Sequence, residues 1–503
     1  MNSFLPTGVL PVCGGRISCL GLTAILFTGC VAGPDYKRPP VTAPPDWGWK
    51  LAEPQDQAIK PDWWKLFGDP ALDQIENQAT GSNQLLQVAV ARVDASRAAA
   101  RISAAQFFPQ LTLDPSINSF HTQVSAVPPE LTATAYTIPL DLSYEVDLWG
   151  RIRRSFESAQ AQAQVKVADY YNVLLKLHGD VAVNYFGLRQ CDAQIRLVNA
   201  TLALWRNSVR VADERYRAGL ASEWDLEMAR TQLAQTQTLE TETQRQRDDL
   251  QNALALLCGQ PAAAFRIQPG TLEELSPAIP VGLPSTLLER RPDVAVAERQ
   301  MAAANAQIGV AQAAFFPALS LTGNAGYSAF NAGSLLDWES QLFQIGPAIS
   351  LPILNGGRLK AGIKASRANY QATCASYQQQ VLRAFKDVSD ALVDLDRYGE
   401  QVVSETEAVQ AAKQNAQLAR ERYQHGLINY LDVLAAERIQ LQTQCQSIQI
   451  RALRLVSTVH LIKALGGGFE MDLLPGKPPQ PENAPLPPAD KRATRLLPVR
   501  LHF

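Results

Sequence analysis

Proline is absent from residues 140–260 and again from residues 353–474, although the 503-residue chain holds 32 prolines. Proline in a helix interior removes a hydrogen bond and clashes with the preceding turn, so these two stretches are where very long helices are permitted. They also match each other at a shift of 207. Glu214-Arg215-Tyr216-x-x-Gly219-Leu220 recurs as Glu421-Arg422-Tyr423-x-x-Gly426-Leu427, Gly150-Arg151 as Gly357-Arg358, Asp225 as Asp432 and Gly259 as Gly466. With one residue of slippage, Phe107-Phe108-Pro109-x-Leu111 recurs as Phe315-Phe316-Pro317-x-Leu319. The period is far longer than the 20–50 residues of a solenoid, so the chain reads as two copies of one unit of roughly 200 residues.

Within each unit the hydrophobic period changes twice. Leu85 to Ala105 is rich in Ala, Gln, Arg and Val without a breaker and predicts helix. After Phe108-Pro109 the period becomes two: Tyr136, Ile138, Leu140, Leu142, Tyr144, Val146 and Leu148 are apolar, and Thr137, Asp141, Ser143, Glu145 and Asp147 lie between them. Phe343, Ile345, Ile349, Leu351 and Ile353 keep one parity in the second unit, and earlier strands are expected from Leu111 and Leu319. Four strands in two hairpins, about 110–148 and 318–353, follow. Strands of nine or more residues with one apolar face match a bilayer, but four cannot close a barrel, so several chains would have to share one. After each second strand comes Gly-Arg and about 65 residues of helical composition, a rod of roughly 100 Å at 1.5 Å per residue. Gly219 and Gly426 read as left-handed helix ends. Ser222 with Asp225, and Asn429 with Asp432, read as caps of the returning helices. Each unit thus predicts a long helical hairpin, turning at 219–222 or 426–429, with strands at its far end.

The N-terminus reads as an address. Arg16 precedes an apolar run, Ile17 to Thr28, which is signal-peptide length and ends at Gly29-Cys30. Small residues before a cysteine resemble the bacterial lipobox, in which Cys30 would become the acylated mature N-terminus, and Val31 rather than Asp after it favours the outer membrane. Beyond residue 30 no run of 18 apolar residues predicts a membrane-spanning helix. Removing residues 1–29, whose only charge is Arg16, leaves 45 basic and 48 acidic residues. That near balance, with basic groups no denser than Arg151, Arg153 and Arg154 or the scattered set near Arg500, excludes a nucleic-acid footprint. Cys191, Cys258, Cys374 and Cys445 lack zinc spacing and read as free thiols. The five histidines are scattered, and no phosphate-loop, zinc-protease or nucleophile-elbow motif occurs. No enzyme, metal or cofactor is expected apart from the covalent lipid on Cys30.

Cys30 with Gly33-Pro34-Asp35-Tyr36-Lys37-Arg38-Pro39, then Trp63-Trp64-x-x-Phe67-Gly68-Asp69-Pro70, resembles the start of the outer membrane factors of tripartite efflux pumps, particularly their lipoprotein branch. Leu287-Leu288-Glu289-Arg290-Arg291-Pro292-Asp293 resembles that branch's internal signature. The resemblance runs from about Cys30 to Phe469. It implies an α+β membrane protein: a homotrimer with a twelve-stranded barrel in the outer membrane, a long periplasmic helical barrel and a small mixed equatorial region. The expected organisation is a signal peptide at 1–29, a proline-rich segment at 30–62, repeats at 63–270 and 271–469, and a proline-rich, disordered tail at 470–503. The implied partners are a periplasmic adaptor, an inner-membrane transporter of the RND type and outer-membrane lipid, and the chain itself would be a passive, gated conduit. Family members dock the adaptor at the hairpin turns, which carry over here to Gly219, Leu220, Gly426 and Leu427. Ala218 and His425 depart from the usual first residue of that motif. The family's tip gate carries over to Asp225, Tyr423 and Asp432, whereas Ile428 stands where other members have arginine. Both aspartates can also be read simply as helix caps.

Two other readings fit parts of this pattern. A periplasmic coiled-coil scaffold lipoprotein would explain the helices, although it has no use for lipid-facing strands. An exit duct for type I protein secretion would share the architecture, because the inner-membrane partner selects the cargo.

Overall fold

The computed structural model describes residues 31–39, 60–123, 130–272, 277, 279 and 290–469. A 3-10 turn at Trp63–Phe67 leads into α1 (Pro70–Ser82) and α2 (Gln84–Ala105). Strands β1 (Gln110–Leu113), β2 (Ser116–Gln123) and β3 (Glu130–Val146) follow, then α3 (Arg151–Arg217) and α4 (Glu223–Leu257). The second half runs through α5 (Pro292–Ala313), β4 (Ala318–Ala329), β5 (Gln341–Ser350), α6 (Arg358–Gln424) and α7 (Tyr430–Ala464). Helices α3 and α6 each contain 67 residues, about 100 Å of helix, and begin 207 positions apart. Their partners α4 and α7 each contain 35 and keep the same offset.

All strands form one antiparallel sheet in the order β1-β3-β4-β5, with β2 also on β3. The sequence predicts one strand where β1 and β2 are found. Both pair with β3 in a single continuous register, Leu113 opposite Leu140 and Ser116 opposite Thr137. The break falls at Asp114-Pro115, with Pro139 across from Asp114: the Asp114 amide still donates to Pro139 O at 3.3 Å, but Pro139 has no N–H to return the bond.

The main core sits partway along the long helices. Trp63, Trp64, Phe67, Leu72 and Ile75 pack on the middle of α3 (Leu177 to Leu188), on the end of α4, and on α5, α6 and α7. Polar groups in this layer are satisfied in chains, as burial demands. Asp192 accepts from Arg189 at 2.9 Å, from Arg247 at 2.6 Å and from the Gly270 amide at 2.9 Å, tying the segment after α4 to both helices of the first hairpin. Asp69 caps α1 through the Ala71 amide at 2.9 Å and accepts the Tyr185 hydroxyl. Beside it, Glu76 is fully buried 2.7 Å from His178, whose ring stacks on Trp64 at 4.3 Å. The equatorial region is not mixed among the described residues: it is built of helix, 3-10 turn and irregular chain, without a strand. The four expected thiols are free cysteines, with Cys191 and Cys258 buried. The signal peptide, Cys30 and the tail from 470 lie outside the described residues, as does Leu287-Leu288-Glu289 of the internal signature.

Candidate functional site: membrane sheet and hairpin tips

The sheet's register sorts its side chains. Antiparallel partners share a face. Tyr136, Ile138, Leu140, Leu142, Tyr144 and Val146 lie opposite Ala329, Tyr327, Ala325, Gly323, Leu321 and Leu319, and that row continues into Phe343, Ile345, Pro347 and Ile349 on β5. On the first edge it reaches Leu111, Leu113 and Ile117. The other face carries Asp141, Ser143 and Glu145 with Thr322, Asn324 and Ser320, and Asn324 donates to Asp141 at 2.5 Å. The apolar band covers residues 136–146 of β3, the number needed to cross a bilayer as a tilted strand. Beyond it β2 and β3 turn polar, with Ser119 bonded to Thr134 at 2.8 Å and His121 to Thr132 at 2.8 Å. Aromatic pairs lie at both ends of the sheet: Trp149 stacks on Phe316 at 4.6 Å at the helix end, and Phe120, opposite Ala133 on the polar face, meets Phe330 at 6.4 Å at the other. Among the described residues both outer strands, β1/β2 and β5, are free edges.

An extended strap, residues 31–38, runs along α3 and α5 from the sheet's base. The Ala32 amide donates to Trp149 O at 2.9 Å, Val31 lies against Gly150, and Asn305 donates to Pro34 O at 2.9 Å. Arg154 reaches Asp35 at 2.7 Å and Glu157 at 2.7 Å, and Tyr36 donates to Glu298 at 2.5 Å. The strap fits because Gly33 crosses Gly309, where an added Cβ would come within 2.5 Å of backbone.

At the opposite end each hairpin turns on a glycine. Gly219 and Gly426 have φ of 71° and 72°, and no atom lies within 4 Å of where a Cβ would project. Backbone conformation alone therefore requires glycine here, and the turns stand clear of the rest of the chain. Leu220 and Leu427 are 71% and 67% exposed, an apolar presentation to the outside of the hairpins. Ser222 and Asp225 form a reciprocal capping box on α4, with the Ser222 amide to Asp225 at 3.1 Å and the Asp225 amide to Ser222 at 3.2 Å. Asn429 caps α7 by accepting the Asp432 amide at 3.1 Å.

The structure brings one expected gate residue into a link between hairpins. Tyr423 accepts a hydrogen bond from Arg215, whose guanidinium lies 5.2 Å from the ring centroid, and the Tyr423 ring packs on Tyr430 at 5.4 Å with the two planes inclined by 48°. Ile428 instead joins Tyr423 and Tyr430 against the Ala416–Val433 cluster. Reading the turn alone missed Arg215. The signal was present in the repeat, where Arg215 and Arg422 occupy equivalent positions, but nothing in the sequence tells which reaches across. Asp225 and Asp432 are not brought to Tyr423. No group of metal-ligating side chains occurs among the described residues.

The family model described as outer membrane efflux protein matches residues 76–260 and again 283–467. The chain is 34% identical to the solvent efflux pump outer membrane protein SrpC of Pseudomonas putida over 463 residues, covering 89% of this chain and 97% of that protein. It is 29% identical to the cation efflux system protein CusC of Escherichia coli, covering 92% and 99% respectively. Among solved structures, the outer-membrane channel OprN superposes with a TM-score of 0.82 at 32% identity, over 87% of this chain and 99% of that one.

Proposed function

The chain belongs to the outer membrane efflux protein family and is the outer-membrane channel of an efflux system; from that premise we propose that three copies close one conduit from periplasm to exterior. The observation that carries the reading is the sheet: one continuous apolar face, one polar face and two unpaired edges. Edge groups cannot stay unpaired in hydrocarbon, so β5 of one copy pairs with β1/β2 of the next. Three copies give twelve strands with the polar face lining a water-filled lumen. The long hairpins continue that lumen across the periplasm as twelve helices. A scaffold without a pore is set aside, because the apolar face would then meet water.

Transport through such a duct is passive, and the energy belongs to an inner-membrane transporter. Resemblance to the lipoprotein branch supports an RND-type transporter, joined through an adaptor that docks on Gly219-Leu220 and Gly426-Leu427. Arg215 and Tyr423 hold the hairpins together in the closed tip, while Asp225 and Asp432 shape the turns as caps. Lipid on Cys30, covalently next to Val31 at the sheet's base, anchors the strap at the periplasmic leaflet. Cargo is chosen upstream: relatives of similar identity are named for solvents and for cations.

The test is the detergent-corrected native mass of the extracted protein together with its conductance in planar bilayers. Three copies and a conducting pore are expected. A stable monomer or dimer, or a trimer that never conducts, would overturn the reading.

A further inference from the structure

Both faces of the sheet change character where β2 and β3 run beyond the apolar band. On the parity that carries the band, Ile117 opposite Tyr136 gives way to Ser119 opposite Thr134 and His121 opposite Thr132, so the outside of the wall turns polar where it leaves hydrocarbon. On the other parity the change runs the opposite way. Thr322, Asn324 and Asp141 line the level of the band, and Ser116 bonded to Thr137 at 2.7 Å closes this polar stretch. Above it stand Ala135 opposite Asn118, then Ala133 opposite Phe120. Ala329 pairs with Tyr136, so the next residue of the chain, Phe330, stands level with Ala135.

The two phenylalanine rings meet across β3, with centroids 6.4 Å apart and planes inclined by 68°. They reach one another because Ala133 and Ala135, the β3 residues between them on this face, are too small to keep them apart. Parity puts Phe120 on the face of Asn324 and Thr322, and the ring contact brings Phe330 to the same side. Phe120 is 40% and Phe330 71% exposed on that side. Neighbouring copies do not cover them. Strand pairing between copies engages backbone groups at the sheet's edges and leaves its two faces as they are.

We propose that Phe120 and Phe330, repeated around the closed barrel, form an apolar collar inside the outer mouth of the conduit that holds back charged, hydrated solutes. Barrels of roughly eight strands are filled by their own side chains and those of roughly sixteen leave an open aqueous channel. In a twelve-stranded wall, two large rings from each of three copies at one level narrow the bore. An apolar constriction sheds water, and an ion crossing it loses hydration with no polar group to replace it. The collar rests on the three-copy conduit proposed above and is a barrier separate from the periplasmic tip.

Thiol labelling from outside the cell tests it. Intact cells carrying the full-length protein with Thr322→Cys, on the lumen face below the collar, are treated with a sulfonated fluorescent maleimide too large for general porins, which enters the lumen through the outer mouth. Ser119→Cys, on the outer face above the band, is the accessible reference, and the unsubstituted protein gives the background from its own thiols. Thr322→Cys should label slowly beside Ser119→Cys. Adding Phe120→Ser/Phe330→Ser should accelerate it about tenfold or more and leave the reference unchanged. Phe120→Tyr/Phe330→Tyr, which keeps the ring and adds a hydroxyl, should fall between. Equal rates with phenylalanine and serine overturn the proposal. A tyrosine variant as slow as the parent overturns the apolar barrier, since the rings would then act by bulk alone. Native mass and conductance of the same proteins separate the two readings: a conducting trimer with equal labelling rates sinks the collar alone, whereas no trimer and no conductance sink the conduit and the collar with it.

Discussion

Arg215, at the end of the first long helix, donates to the hydroxyl of Tyr423 at the end of the second and lies over its ring. The two residues are 208 positions apart, and their contact joins the two hairpins at the tip, where Tyr430 of the second also packs against Ala212, Leu226 and Ala229 of the first. Tyr423→Phe removes the hydrogen bond and keeps the cation–ring contact; Arg215→Ala removes both, a loss of about 1 kcal/mol or less at this exposed site. Closed-state leak in single-channel recordings is expected to rise from wild type to Tyr423→Phe to Arg215→Ala, with the melting temperature nearly unchanged. Equal leak in all three would deny the contact a role in closure.

The turn glycines make a second expectation. Ala at 219 or 426 meets no steric obstacle, so its cost is the left-handed backbone alone, about 1–2 kcal/mol per site. Gly219→Ala and Gly426→Ala should leave the trimer intact but weaken adaptor binding in a pull-down or calorimetric titration. Asn at the same positions, which tolerates this conformation, should weaken it less.

The two faces of the sheet should respond oppositely to charge. Leu321→Asp places a carboxylate on the apolar face and should destabilise by about 1 kcal/mol in bilayers, whereas Thr322→Asp, on the polar face, should fold normally and shift ion selectivity. Urea unfolding in vesicles distinguishes them; similar losses for both would contradict the assignment of faces.

The pair buried beside Trp64 sets a pH signature. Burial holds the Glu76 carboxyl well above its ordinary 4.5, and burial pushes His178 down to about 4. Glu76 thus stabilises the fold fully below about pH 4.5, and this contribution is lost as pH rises through its folded pKa. His178 works the other way: its contribution is full above about 6.5 and is lost as pH falls toward 4. Glu76→Gln keeps a donor at 2.7 Å from the imidazole and removes only the first dependence. Its melting temperature should climb from pH 4 to 6.5 and then stay level, where wild type declines at higher pH. A decline in the variant matching wild type would assign the loss to other groups.

The strap depends on the Gly33–Gly309 crossing. A side chain at 309 would meet Arg154 Cγ at 2.7 Å and Ala32 O at 2.8 Å, so Gly309→Val should lift residues 31–38 at a cost of about 1–3 kcal/mol. Hydrogen exchange at the Ala32 amide, bonded to Trp149 O at 2.9 Å, is expected to accelerate selectively.

Much of the fold was legible because its signals are local. Proline absence marks α3, α4, α6 and α7 because a ring clash acts within one helical turn, and the caps at Ser222 and Asn429 involve residues only three apart. The alternation of β3 shows one face for the same reason. The strand break was harder to see: Pro139 costs a ladder bond only once it is set opposite Asp114, a pairing that exists only in the sheet. The equatorial layer was misjudged because nothing between residues 63 and 82 says that Trp63, Trp64 and Phe67 pack on helices begun a hundred residues later.

The sequence by itself determined the duplicated plan, the helix lengths, the turns and which residues alternate along each strand, since all of these follow from backbone sterics and short-range periodicity. Only the tertiary structure decided that Arg215 rather than Arg422 reaches Tyr423, and that Asp225 and Asp432 stay in their caps. Those outcomes depend on where separate rods and strands come to lie beside one another, and distances of a few ångströms between residues hundreds apart are set by packing, which no local pattern encodes.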